Sequence, residues 1–177
     1  ADSQAREPVV PDEIIMLTTA FPGFGESMNT KTKRLDKTRE KIFELYREYG
    51  HPPPKINSND EQVVRGPDEA ELEDIRDAAE NASFADAVVA VMTELARRRR
   101  KDELTLHVSL AGGRKSMSSY LHWAIINFGT ELDELTHVLV KNTFLESASD
   151  FWWPDQAQKL VFSARAGKEL STDAQMD

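Results

Sequence analysis

Between Leu104 and Val140 the hydrophobic pattern changes period across two adjacent glycines. LTLHVSLA, residues 104–111, alternates and then runs apolar, as a buried strand does. Gly112 and Gly113 follow at once. Met117, Tyr120, Leu121, Ala124, Ile125 and Phe128 then recur at helical spacing and stop at Gly129. LTHVLV, 135–140, is strand-like again. Two strands joined by a helix of this length cannot be a hairpin. Taken with the elements upstream, strand, helix and strand in succession are the pattern of an α/β sheet, mostly parallel in its core.

Upstream the same alternation recurs. DEIIMLTT, 12–19, carries a short apolar run and predicts a buried strand. AFPGFGESMN, 20–29, is a loop by its proline and two glycines. From Thr32 to Tyr49 the residues Leu35, Ile42, Phe43, Leu45, Tyr46 and Tyr49 predict a helix, stopped by Gly50 and by Pro52 to Pro54. Residues 55–68 are a polar connection, with a short strand at 62–64. The acidic stretch 68–80 predicts a short helix. Phe84, Ala87, Val88, Val91, Met92 and Leu95 predict a separate helix from Ser83 to Arg100. After Asn142 the chain turns irregular and aromatic at FWWP, 151–154. QKLVFSARAGKEL, 158–170, predicts a hairpin about Ala166-Gly167.

The fold class expected is α/β: a Rossmann-like, mostly parallel sheet with flanking helices and a C-terminal hairpin. A chain of 177 residues suits one domain, with its core over about 12–141 and an extension over 142–177. Such sheets bind ligands beyond the carboxyl ends of their strands. The Gly-Gly turn sits at one of those ends.

Charge and composition narrow the ligand. A net charge of −9 makes a long nucleic-acid duplex a poor partner, because counterion release needs a broad basic face. A small anion held by locally focused cations remains open. Cysteine is absent, which excludes disulfides, zinc-thiolate sites and cysteine nucleophiles, and fits a cytoplasmic protein. No apolar run is long enough to span a membrane, so no membrane partner is expected.

SLAGGRKSMSSYL, 109–121, holds such a focus. Gly112 and Gly113 permit positive φ and close backbone approach. A strand–Gly-Gly–helix turn aims free N–H groups at its open side, where the helix dipole favours an anion. Arg114 can fork two phosphate oxygens, and Lys115 adds a point charge. Ser116, Ser118 and Ser119 add hydroxyls. It is not a P-loop, which would need glycine at 109 and 114, where this chain has Ser and Arg. The same residues also suit a plain tight turn, with Arg114 and Lys115 in water and Ser116 capping the helix.

Other candidates are weaker in chemistry. Thr18 and Thr19 end the first strand, and the loop after them opens on the ligand side of a parallel sheet, where Phe21 or Phe24 has room to stack on a base. His107, His122 and His137 have no metal-ligand spacing and suit structural roles; no metal and no cofactor is expected. The basic run Arg97 to Lys101 ends a helix and complements its dipole in solvent, with a dimer or effector contact as the lesser alternative. Phe151, Trp152 and Trp153 suit either a partner patch or packing over the sheet edge.

SLAGGRKSMSSYL followed by LTHVLV resembles the second signature of CRISPR-associated Rossmann-fold (CARF) domains. More narrowly it resembles a small stand-alone CRISPR-associated family reading S-x-(A/T)-G-G-R-K-(T/S)-M, a helix, then a strand ending H-V-L-V. DEIIMLTT and FLESASDFWWP are similar to that family's second strand and its Phe-Glu…Phe-Tyr/Trp-Pro segment, so the resemblance spans most of 12–173. The family's first strand, loop and helix have no counterpart before Asp12, and the chain resembles a piece short at both ends.

The resemblance implies a homodimer whose paired turns hold a cyclic oligoadenylate, the second messenger of type III CRISPR antiviral defence. Ligand-binding residues carried over are Ala111, Gly112, Gly113, Arg114, Lys115, Ser116 and Met117, joined by Thr18 and Thr19 from the first visible strand. The role implied is a sensor or a sink of the messenger. Some CARF domains also cut the ring without metal, the ribose 2′-hydroxyl attacking the adjacent phosphate. In a ring nuclease of that kind Lys115 is the catalytic group that stabilises the transition-state charge. A third possibility is a non-catalytic adaptor that binds no nucleotide.

Overall fold

The computed structural model describes residues 9–20, 28–58, 63–110, 114–138, 140, 142, 144, 145, 148, 151–153, 160–163 and 165–171. The chain divides into two compact units, Ala1–Ala87 and Val88–Asp177. It is a mixed α/β protein of short strand pairs and three described helices. None of these helices is long and apolar enough to cross a membrane.

In the first unit β1 (Glu13–Ile14) pairs in parallel with β2 (Lys55–Ile56). The pairing continues past the regular strands: Thr18 bridges Val63 in parallel, and the Val64 amide donates to the Thr18 carbonyl at 2.9 Å. The connection is α1 (Met28–Glu48). Its end follows from Gly50, whose φ of +72° is left-handed. The Gly50 amide donates to the Arg47 carbonyl and the His51 amide to the Tyr46 carbonyl, a Schellman closure. Tyr46 is buried on this helix, and its hydroxyl donates to the Pro11 carbonyl at 2.7 Å. Burial, with the charge of Asp12, raises its pKa above the usual phenol value.

The expected helix over 68–80 is corrected. Residues 65–71 form a tight turn in which Arg65 bridges Glu71 antiparallel and Glu69 takes a φ of 62°. The helix starts only at α2 (Ala78–Arg99), which joins the end of that acidic stretch to the stripe expected from Ser83. Its start is set by a reciprocal cap. The Glu80 amide donates to Asp77 Oδ1 at 2.9 Å, and the Asp77 amide donates to Glu80 Oε2 at 3.3 Å. Leu72, the buried apolar residue of that stretch, is held by strand-like pairing instead: its amide donates to the Val64 carbonyl and its carbonyl accepts the Ala20 amide, both at 2.7 Å. Phe84, Val88 and Met92 lie one turn apart along α2 and are buried.

In the second unit β3 (His107–Ser109) pairs in parallel with β4 (Glu134–Thr136), in the register His107 to Glu134, Val108 to Leu135 and Ser109 to Thr136. The crossover is α3 (Lys115–Phe128). β3 and α3 fall inside the predicted stretches, whereas β4 overlaps the predicted 135–140 only at Leu135 and Thr136, with Leu135 exposed. The C-terminal hairpin is also present: β5 (Leu160–Ser163) pairs antiparallel with β6 (Lys168–Ser171). Gly167 has a φ of 65°, and its amide closes the turn onto the Ser163 carbonyl at 2.8 Å. Leu145, Ala148 and Leu170 form a buried cluster here, with Val140, Phe151 and Ala166 packed against it.

Candidate functional site

The candidate site is built from the carboxyl end of β3 and the first turn of α3. The ladder with β4 runs one bond past the strand, the Leu110 amide donating to the Thr136 carbonyl at 2.9 Å. Next along the chain, the Leu110 carbonyl accepts the Ser118 hydroxyl at 3.2 Å. Ala111, Gly112 and Gly113 lie outside the described residues. The chain is described again at Arg114, which takes extended dihedrals (φ −73°, ψ 152°) and is the N-cap of α3.

The cap differs from the expected one. Ser116 lies within the first turn, and the residue outside it is Arg114, whose carbonyl accepts the Met117 amide at 3.0 Å and the Ser118 amide at 3.5 Å. The Arg114 amide donates to Met117 Sδ at 3.4 Å. An arginine side chain has no acceptor for the helix's first amides, so it does not do what a serine cap does. The amides of Lys115 and Ser116 head the helix, where the intrahelical ladder offers no acceptor. Arg114 and Lys115 are both exposed, Ser116 is half-buried and Met117 is buried. Two cations thus stand at the positive end of a helix, where charge complementarity calls for carboxylates; α3 has no acidic residue in its first turn.

The serines divide by role. Ser119 donates to the Lys115 carbonyl at 2.9 Å, a bond internal to the helix, and Ser118 donates across to the strand end. The sequence predicts Ser118 as a hydroxyl facing the ligand, not as a bond to the strand. A serine in the first turn after a strand–Gly-Gly turn is the available signal, because its hydroxyl is within reach of the last strand carbonyl.

Behind the turn, the helix end and strand start are fixed by one carboxylate. Asp133 is fully buried at its side chain and Arg99 nearly so (17% exposed), with Nη2 2.7 Å from Asp133 Oδ2. Asp133 also accepts from the Leu106 amide at 2.7 Å, the Thr130 amide at 2.6 Å and the Thr130 hydroxyl at 3.2 Å. Burial alone would raise its pKa. The two amides, the Arg99 charge and the Thr130 hydroxyl outweigh that and hold the carboxyl below the usual range. Arg99 further donates to the Phe128 carbonyl at 3.3 Å. The solvated role expected for the basic run therefore does not hold for Arg99, whereas Arg97 forms an exposed pair with Glu94.

Thr18 and Thr19 lie in the first unit. Both are half-buried, and the Thr18 hydroxyl donates to the Thr19 carbonyl at 3.2 Å. Residues 21–27, with Phe21 and Phe24, lie outside the described residues. His107 Nδ1 stands 3.6 Å from Glu134 Oε2, its register partner across the ladder; His122 and His137 are exposed. No group of three or more His, Asp or Glu side chains able to hold a metal ion occurs among the described residues. Phe151 packs on the hairpin cluster, and Trp152 is 37% exposed.

No curated protein and no solved structure matches the chain significantly. A family model described as CRISPR-associated protein NE0113 (Cas_NE0113) matches residues 10–174, a span running from before β1 to beyond β6, and the chain belongs to that CRISPR-associated family.

Proposed function

We propose that the protein is a CARF-type member of CRISPR antiviral defence that binds a cyclic oligoadenylate at the β3–α3 turn, as sensor or sink of the messenger. The observation that carries this is the pair of exposed cations, Arg114 and Lys115, at the head of α3 and just beyond the carboxyl end of a parallel strand. Membership of a CRISPR-associated family supports the biological setting. The chemistry fits a phosphodiester: the guanidinium forks two oxygens, the ammonium adds a second charge, and the helix-head amides complete the donor set. A net charge of −9 over the whole chain favours a small ligand over a long polyanion. A symmetric ring is matched by two copies of the turn, hence by a homodimer.

Calorimetric titration with cyclic tri-, tetra- and hexa-adenylate tests the proposal. Binding of one ring is expected, weakened by Arg114→Ala and by Lys115→Ala by at least about 1.5 kcal/mol each, as for a charge-assisted hydrogen bond. Affinity unchanged in both variants would overturn it. Chromatography of the mixtures in EDTA separates the roles. An intact ring makes the protein a sensor or sink. A ring lost without metal makes it a ring nuclease, with Lys115 as the charge-stabilising group.

A further inference from the structure

We infer that Ser118 is a positioning residue for the β3–α3 turn: its hydroxyl clasps the head of α3 to the end of β3 and so fixes where Arg114 and Lys115 present their charge. The inference rests on the proposed anion site and extends it to a residue that touches no ligand.

Hydrogen bonds bracket the turn on both sides. On the strand side the Leu110 amide is anchored to Thr136 of β4 at 2.9 Å, and the Leu110 carbonyl takes the Ser118 hydroxyl at 3.2 Å. On the helix side the Arg114 carbonyl takes the Met117 and Ser118 amides, and the Arg114 amide points to Met117 Sδ at 3.4 Å. Ser118 belongs to both sides. Its backbone N–H holds the first turn of the helix, and its side-chain O–H holds the strand. Ser118 thereby ties together Leu110 and Arg114, the described residues on either side of the turn.

The geometry matters because two glycines in that span give the backbone wide freedom. A site whose cations are held in place before a ligand arrives loses less affinity to ordering. Neighbouring Ser119 is the internal control. It carries the same side chain one position on, but its hydroxyl bonds within the helix, to the Lys115 carbonyl at 2.9 Å. Removing it leaves the strand contact intact.

The experiment compares Ser118→Ala, Ser118→Thr and Ser119→Ala in the full chain, with two readouts. The first is backbone hydrogen exchange over residues 110–117 without ligand. Ser118→Ala is expected to speed exchange there by about five-fold, the loss of one hydrogen bond; Ser118→Thr restores protection and Ser119→Ala leaves it unchanged. The second is affinity for whichever of cyclic tri-, tetra- or hexa-adenylate the unmodified protein binds, with a loss of about five-fold in Ser118→Ala and recovery in Ser118→Thr. Unchanged exchange in Ser118→Ala overturns the inference whatever binds. Faster exchange with unchanged affinity also overturns it, since the clasp then does not position the site. If the unmodified protein binds none of the three rings, the proposed ligand fails, while exchange still decides whether Ser118 holds the turn.

Discussion

The Asn57 carboxamide pairs with the backbone of Met16 as though it were a further residue of a strand. Its Oδ1 accepts the Met16 amide at 3.0 Å, and its Nδ2 donates to the Met16 carbonyl at 3.0 Å. This pair lies between the β1–β2 ladder and the Thr18–Val63 bridge, so a side chain carries the parallel pairing across an interruption in the backbone ladder. Arg39 fixes Asn57 from the helix side by donating to its carbonyl at 3.0 Å.

Asn57→Ala leaves both Met16 groups without this partner. The expected cost is about 1–3 kcal/mol, the desolvation penalty of a polar group left unpaired. Urea unfolding checks it. Asn57→Asp keeps the acceptor and loses the donor, so it should fall between the two. A cost near zero for Asn57→Ala would mean that water replaces the amide and that the pairing is incidental.

Asp133 makes stability depend on acidity. Its carboxyl is held below the usual range, so the unfolded chain binds the proton more readily. Its contribution is complete above the unfolded carboxylate value of about 3.9 and is lost as pH falls through the lower folded value. Asp133→Ala strands Arg99, whose Nε is already buried without a hydrogen-bond partner among the described residues. The expected cost at neutral pH is about 3–5 kcal/mol, typical of breaking a buried ion pair from one side. The variant's stability should also vary less with pH below about 4. Urea midpoints between pH 3 and 7 test both statements.

Two glycines that end helices should respond to alanine for different reasons. At Gly50 nothing lies within 4 Å of an added Cβ, but φ is +72°, so Gly50→Ala should cost about 1 kcal/mol from backbone conformation alone. At Gly129 the dihedrals are ordinary for any residue, yet an added Cβ would overlap the Ile125 carbonyl oxygen. That carbonyl also accepts the Gly129 amide at 2.8 Å and closes α3. Gly129→Ala should therefore cost about 1–3 kcal/mol through displaced backbone. Thermal unfolding of both variants ranks the two costs.

The parts of the fold legible in sequence were those with a strong local period. Met117 through Phe128 located α3 and Ala166-Gly167 located the terminal hairpin, while LTHVLV met β4 only at Leu135 and Thr136. Capping was harder to read. Acidity over 68–80 suggested a helix, but the Asp77–Glu80 box places the start at Ala78, and only Glu80 of those carboxylates sits in the first turn. The candidate site shows in the sequence as its charges, Arg114 and Lys115, because a strand–Gly-Gly–helix pattern is local. The side-chain bonds that hold each unit were not legible. Ser118 to Leu110, Asp133 to Arg99 and Asn57 to Met16 join residues separated by other elements, and no period encodes which polar side chain meets which backbone group.

The two cations of the turn should not be interchangeable if a phosphodiester is what they hold. Arg114→Lys keeps the charge and loses the fork that meets two oxygens at once; Lys115→Arg keeps the charge and adds donors. Arg114→Lys should therefore weaken cyclic oligoadenylate binding by about 1 kcal/mol or more, while Lys115→Arg should change it by less. Raising the salt concentration should weaken both variants and the unmodified protein, because the contacts are exposed at the head of α3. Calorimetry at two ionic strengths measures all of this in one series. Equal losses at 114 and 115 would mean that the turn offers only diffuse positive charge, and would remove the specific part assigned to the guanidinium.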